Sequence, residues 1–239
     1  MSVNKDLVAG FYDKFSGHQE KVGVNSRHLM ILDKLIEAGL QPHHQVLEIG
    51  CGIGAVSQLI AKKTKKGKIL AVDISPKSIE RARLLWKDIK NLNFEVSDME
   101  EFYQKDTFYD FVVLPDVLEH IPVENHPSLF QTIKRHSHAH TTIFVHIPSP
   151  RFLEWMIRNE PKKLQVIDQA LDSGELVKNA SVSGFHLDKM ETYSLFYLEK
   201  DYQYFVFRSD KPLEKVTHKN KWRVLKERIT IKIRNGIFI

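Results

Sequence analysis

The sequence predicts an α/β protein: a doubly wound parallel sheet with helices on both faces, closed by an antiparallel hairpin. Three observations point there. Short β-like runs alternate with amphipathic helical runs between residues 45 and 147, the rhythm of βα units. A three-glycine turn, Gly50-Cys51-Gly52-Ile53-Gly54, follows the first of these strands. Acidic residues recur at the ends of the first three strands, Glu48, Asp73 and Asp98, at intervals of 25 residues. That interval is about one βα unit, so the three carboxylates fall along one edge of the sheet, where such folds bind ligands.

The elements follow in order. Leu29, Ile31, Leu32, Leu35 and Ile36 recur at helical spacing within Asn25 to Leu40, with Gly39 as terminator before Pro42. Gln45–Ile49 reads as a buried strand and Val56–Lys63 as a helix. Lys68–Val72, Leu92–Val96, Phe108–Leu114 and Thr141–Ile147 read as strands, with a helix over Pro76–Lys87. Beyond Pro148 the rhythm changes. Arg151 to Ala180 reads as helical with breaks at Pro161 and Gly174, and Phe185–Tyr197 and Tyr202–Phe207 read as a hairpin turning at Glu199-Lys200-Asp201. The run Arg135-His136-Ser137-His138-Ala139-His140 reads as solvated turn, since it has no cysteine or acid partner for zinc.

A chain of 239 residues has room for one sizeable domain with additions. We divide it into an N-terminal helical lid over 1–44, a ligand-binding domain over 45–210 with a helical insertion at 151–173, and a basic tail over 211–239. A hydrophobic fraction of 42% with 27% charged residues excludes a wholly disordered or collagen-like chain. No apolar run is long enough to span a membrane, and Met1-Ser2-Val3-Asn4-Lys5-Asp6 lacks the apolar region of a secretory signal, so the cytoplasm is expected. The single cysteine, Cys51, excludes a disulfide scaffold. The net charge of +5 is concentrated at one end: nine Lys or Arg against two Glu after residue 210 make +7, leaving −2 for residues 1–210. A nucleic-acid partner is therefore not expected of the main domain.

Chemistry concentrates at Val46-Leu47-Glu48-Ile49-Gly50-Cys51-Gly52-Ile53-Gly54. Glycines at alternate positions let backbone approach a ligand, and the next helix presents free amides at its start. A dinucleotide site would use Gly50, Gly52 and Ala55, with Asp73 as its ribose acid. Glu48 argues against it, because a carboxylate there repels a diphosphate and favours a cation. Asp73 suits ribose hydroxyls, and Ser97-Asp98-Met99 offers an acid and an apolar face to adenine. Adenosine joined to a cation, without diphosphate, describes S-adenosylmethionine.

These residues, with Val72-Asp73-Ile74-Ser75 and Leu114-Pro115-Asp116-Val117-Leu118-Glu119-His120-Ile121, resemble the class I S-adenosylmethionine-dependent methyltransferases, in order from about Gln45 to Pro148. The resemblance implies a seven-stranded, mostly parallel Rossmann-like methyltransferase fold with its last strand antiparallel. It also implies cofactor roles for Glu48, Gly50, Cys51, Gly52, Gly54, Asp73, Ile74, Ser75, Asp98, Met99, Leu114 and Pro115. Tyr12, within Phe11-Tyr12-Asp13-Lys14-Phe15, resembles the N-terminal lid of the small-molecule branch of that family. His146-Ile147-Pro148 and Gln165-Val166-Ile167-Asp168-Gln169 are similar to bacterial methyltransferases of surface-polysaccharide pathways, which implies an oxygen acceptor on a sugar or polysaccharide precursor.

The expected reaction is attack of the acceptor on the sulfonium methyl group, driven chiefly by positioning. His120 is the candidate general base, with Asp116 beside it on the binding edge; the alternative is that His120 only orders its loop. Asp116, Glu119 and His120 also have metal-ligand chemistry, though no metal is expected. Phe152, Trp155, Arg158, Lys162 and Lys163 are candidates to meet the acceptor, while Phe152, Trp155 and Ile157 equally suit a core. In the tail, Trp222, Leu225 and Ile229 alternate with basic residues, which suits weak contact with an anionic membrane surface, docking on the domain, or a last strand through Ile229, Ile231 and Ile233. Two rival classes stay open: an NAD-dependent oxidoreductase and a non-catalytic S-adenosylmethionine-binding module.

Overall fold

A computed structural model describes residues 23–164, 168–209 and 215–236. Residues 1–22, Tyr12 among them, and residues 165–167 lie outside the described residues. Seven strands form one sheet: β1 (Val46–Ile49), β2 (Ile69–Asp73), β3 (Leu92–Val96), β4 (Tyr109–Pro115), β5 (Ser137–Pro148), β6 (Phe185–Tyr193) and β7 (Tyr202–Ser209). Their order is β3-β2-β1-β4-β5-β7-β6. β1 to β5 are parallel, and β7 runs antiparallel to both β5 and β6. The expected doubly wound sheet and its closing hairpin are therefore present.

Helices cover both faces because the strand period of two sends alternate side chains to opposite layers. One layer joins Val46, Ile69, Ala71, Phe111, Val113, Phe144 and Tyr204 to α1 (Ser26–Glu37), α2 (Ala55–Lys63) and α3 (Pro76–Leu85). The other joins Leu47, Val72, Val112, Leu114, Ile143, Phe205 and Phe207 to α4 (His126–Arg135) and α6 (Ser173–Val182). Helix α1 starts where Asn25 accepts the backbone N–H groups of Arg27 and His28, at 3.0 and 3.3 Å. That cap places Arg27 in the first turn. Of the apolar stripe read in the sequence, Ile31 and Leu35 are buried, whereas Leu29 and Ile36 are exposed.

Three expectations are corrected. First, β5 begins at Ser137, so the histidine run is not a turn; its alternation is that of a strand entered from a helix end. His136 is buried, with one ring nitrogen 3.0 Å from the Thr132 carbonyl and the other accepting the Gln104 N–H at 3.0 Å. His138 lies 3.1 Å from an Asp110 oxygen. Second, the stretch after Pro148 is not one broken helix to Ala180. Helix α5 (Pro150–Asn159) gives way to a 3-10 turn at Pro161–Lys163, and α6 starts afresh where Asp172 caps the Glu175 N–H at 2.8 Å. Gly174 thus sits inside the first turn of α6. Helix α5 buries Leu153 and Met156 while Trp155 and Ile157 stay exposed, so the latter two are not core. Third, the tail forms α7 (Lys221–Arg234), not a strand, and buries no side chain.

No helix among the described residues is long and apolar enough to cross a membrane. In the core, Phe144 is fully buried and stacks on Tyr204 at 5.4 Å between centroids. Phe144→Ala is expected to lower unfolding stability by about 3–5 kcal/mol in a urea titration; a loss below about 1 kcal/mol would show that this layer is not tightly packed.

Candidate active site

In β1, Glu48 points with Val46 toward the α1–α3 layer, because Leu47 and Ile49 occupy the opposite one. Its carboxyl is fully buried, and neither oxygen makes a well-formed hydrogen bond; the Ser57 hydroxyl lies beside it. Burial, with the Asp73 charge adding to it, pushes Glu48 up to about 8. An uncompensated buried carboxyl of this kind calls for an explanation.

Directly above, the glycine turn is tied to the next strand. The N–H groups of Gly50 and Cys51 both donate to the Val72 carbonyl, at 2.8 and 3.0 Å. The Gly52 N–H donates to one Asp73 oxygen at 2.8 Å and the Ser75 N–H to the other at 2.9 Å. Asp73 thus organises the turn besides ending β2. Gly50, with φ of +75°, has no room for a side chain: a Cβ there would lie 2.5 Å from a Val117 methyl. Cys51, buried among Glu48 and Asp73, has its thiol pushed far up by burial and then by those carboxylates. Its Sγ lies 3.5 Å from the Gly52 carbonyl.

The remaining predicted cofactor positions stand on the same edge. Ile74 and Ser75 lead from β2 into α3, where the Ser75 hydroxyl accepts the Ser78 N–H at 3.0 Å. After β3, an Asp98 oxygen accepts the Glu100 N–H at 3.0 Å, and buried Met99 adopts a left-handed φ of +68°. Leu114 and Pro115 end β4 and are buried. The structure therefore brings every described cofactor candidate to the carboxyl ends of β1 to β4.

On the neighbouring part of that edge lies a connected polar cluster. Asp116, left-handed at φ +54°, donates its N–H to the His146 carbonyl at 2.8 Å. One Asp116 oxygen meets His146 Nδ1 at 2.5 Å and the other meets Arg27 Nε at 3.1 Å. His146 Nε2 lies 2.6 Å from the Tyr193 hydroxyl, and the ring stacks on Tyr202 at 4.9 Å. Burial alone would raise Asp116; Arg27 and then His146 outweigh it and hold the acid at about 2. Glu119 behaves oppositely. Buried, with one oxygen unpartnered and Asp116 nearby, it is pushed well above the usual carboxylate range. His120 Nδ1 stands 3.3 Å from an Asp168 oxygen, and its Nε2 is 3.9 Å from Glu119.

Sequence reasoning noted His146 but missed Arg27, Asp168, Tyr193 and Tyr202. The only local signal was the N-cap that sets Arg27 in a first helical turn; the other contacts join residues 30 to 175 positions apart. Asp116, Glu119 and His120 are not arranged as metal ligands, and among the described residues no group of three or more His, Cys, Asp or Glu is.

Two substitutions test this geometry. Gly50→Ala combines left-handed strain with the Val117 clash and is expected to cost about 1–3 kcal/mol. Adding Val117→Ala should recover only part of the steric cost in thermal unfolding, because the Cβ of residue 117 would still lie 2.8 Å away. Arg27→Met leaves the partly buried Asp116 beside His146 alone and, with the Arg27 side chain one-third exposed, is expected to destabilise the fold by about 1–3 kcal/mol at pH 7. Asp116 has a depressed pKa, so its contribution exists above the ordinary carboxylate value and disappears as pH falls toward about 2; the wild-type advantage over Arg27→Met should shrink across that window.

Comparison with known proteins completes the picture. Residues 46–139 match the family described as a methyltransferase domain. A malonyl-[acyl-carrier protein] O-methyltransferase of Ilyobacter polytropus is 36% identical over 112 residues, 46% of this chain and 39% of the relative. A ubiquinone biosynthesis O-methyltransferase of Acinetobacter baumannii is 26% identical over 119 residues, 48% of each. The chain spans less than half the length of these curated relatives. Among solved structures, the magnesium protoporphyrin IX methyltransferase of Synechocystis, with bound SAH, superposes with a TM-score of 0.67 at 16% identity, covering 86% of this chain and 99% of that one. The described chain thus has the Rossmann-like methyltransferase fold, and its residues 46–139 match a methyltransferase domain.

Proposed function

We propose that this chain is an S-adenosylmethionine-dependent methyltransferase acting on a small-molecule acceptor, an oxygen on a sugar or polysaccharide precursor. The observation that carries the reading is Glu48, a fully buried carboxyl without a well-formed hydrogen bond beneath a three-glycine turn. Such a group suits a cation and opposes a diphosphate, which favours S-adenosylmethionine over NAD. When bound, S-adenosylmethionine supplies a methyl group already activated on a sulfonium.

Gly50, Cys51, Gly52 and Gly54 would hold the methionine part, Asp73, Ile74 and Ser75 the ribose, and Asp98 and Met99 the adenine. Leu114 and Pro115 would line the transfer edge, with Tyr12 contributing from the N-terminal segment. His120 would take the acceptor proton at Nε2, Asp168 fixing the tautomer from the Nδ1 side. His146 suits that task less: it is fully buried, with both ring nitrogens engaged. Asp116 would instead hold β4, β5 and α1 in register around the acceptor. Phe152, with Tyr197 at 4.7 Å and Trp155 at 6.4 Å between centroids, offers aromatic surface for a sugar, and Arg158, Lys162 and Lys163 offer charge to an anionic group. The O-methyltransferase names of two relatives support an oxygen acceptor.

Isothermal titration tests the ligand: S-adenosylmethionine is expected to bind and NAD to fail, and the reverse would overturn the proposal. Glu48 sits at about 8, above its ordinary 4.5, so its protonated form stabilises the fold fully below about 4.5 and that stability is lost as pH rises through 8. A bound cation reverses the preference. Affinity for S-adenosylmethionine should therefore rise between pH 6 and pH 9 with proton release, and Glu48→Gln should remove that slope. His120→Ala should cut turnover about 100-fold with cofactor affinity intact; an unchanged rate would remove it from the mechanism. A panel of nucleotide sugars, all inert in methyl incorporation, would refute the sugar acceptor.

A further inference from the structure

Helix α7 is the one described α-helix with no buried side chain. Trp222, Leu225, Ile229 and Ile233 recur at i, i+3, i+7 and i+11, one stripe of an α-helix, and they are exposed by 80, 44, 48 and 61%. At 100° per residue, Lys226 and Lys232 fall on the two flanks of that stripe. The helix holds six Lys or Arg against a single acid, Glu227. That acid is itself spent on Lys219 at 2.7 Å and Arg223 at 3.5 Å.

A helix of 14 residues is marginal in water unless something covers its apolar side. Nothing in the described chain does. The charge decides what can. A second copy would bring another strongly basic helix against this one and be repelled, whereas an anionic lipid surface offers both opposite charge and an apolar boundary. With six basic side chains in 14 residues the helix cannot span a bilayer, so it lies in the surface plane. We propose that α7 is a docking element for anionic lipid bilayers, with the Trp222–Leu225–Ile229–Ile233 stripe entering the headgroup boundary and Lys226 and Lys232 reaching the phosphates on either side. This stands independently of the proposed methyl transfer.

The test uses the full chain with phosphatidylcholine vesicles, with and without phosphatidylserine. Co-sedimentation is expected with the anionic vesicles only, weakening as salt is raised. Leu225→Asp with Ile229→Asp should reduce binding at least about tenfold while leaving thermal unfolding and S-adenosylmethionine titration unchanged, because both residues are exposed and neither belongs to the core. Lys226→Gln with Lys232→Gln should weaken anionic binding and flatten its salt dependence. No binding at low salt, equal binding to neutral vesicles, or full binding by the Leu225/Ile229 double variant would overturn the proposal. So would light scattering that shows a dimer abolished by that variant, which would assign the stripe to a second copy, or stronger retention by duplex DNA than by anionic vesicles.

Discussion

The carboxyl of Glu48 is the constraint around which the site is arranged. A side chain that strands normally spend on packing is used here on an acid, at the last inward position before the chain turns. Burying it without a good partner is unfavourable unless the group stays neutral or a positive ligand approaches. The surroundings are built to tolerate this. Three glycines let the turn close over it, Val72 and Asp73 pin that turn from the next strand, and Val117 occupies the space that any side chain at position 50 would need. Left-handed backbone and a buried carboxyl thus meet in this one turn.

Next to it, Asp116 plays the opposite electrostatic part. It is only partly buried and fully engaged, gripping Arg27 of α1 and His146 of β5 from the end of β4. Its charge in turn adds to the burial that pushes Glu119 upward. Two carboxyls three residues apart are therefore driven in opposite directions: Arg27 and His146 pull Asp116 down, whereas burial and then the Asp116 charge push Glu119 up.

How much was legible in the sequence follows from the range of each interaction. The alternation of strands and helices, the closing hairpin and the grouping of Glu48, Asp73 and Asp98 on one edge were readable, because strand and helix periods and the βα spacing are local signals. The start of β5 was not, because His136, His138 and His140 are polar, and polarity hid a strand that earns its place through Tyr109 and Asp110 on β4. The inward face of α5 was blurred for a similar reason: Trp155 and Ile157 suited a core as well as a surface, and the helix turns Leu153 and Met156 inward instead. Arg27, Asp168, Tyr193 and Tyr202 join the site through contacts that exist only once the sheet is assembled.

One small group in the turn carries a last implication. The sulfhydryl of Cys51 is sheathed by two acids and sealed from water, so it persists in its unreactive form while the cradle is shut. Electrophiles can reach it only during moments when the turn breathes. The alkylation rate of this sole thiol is therefore a built-in clock for that opening, and an occupant that clamps the cradle should slow it.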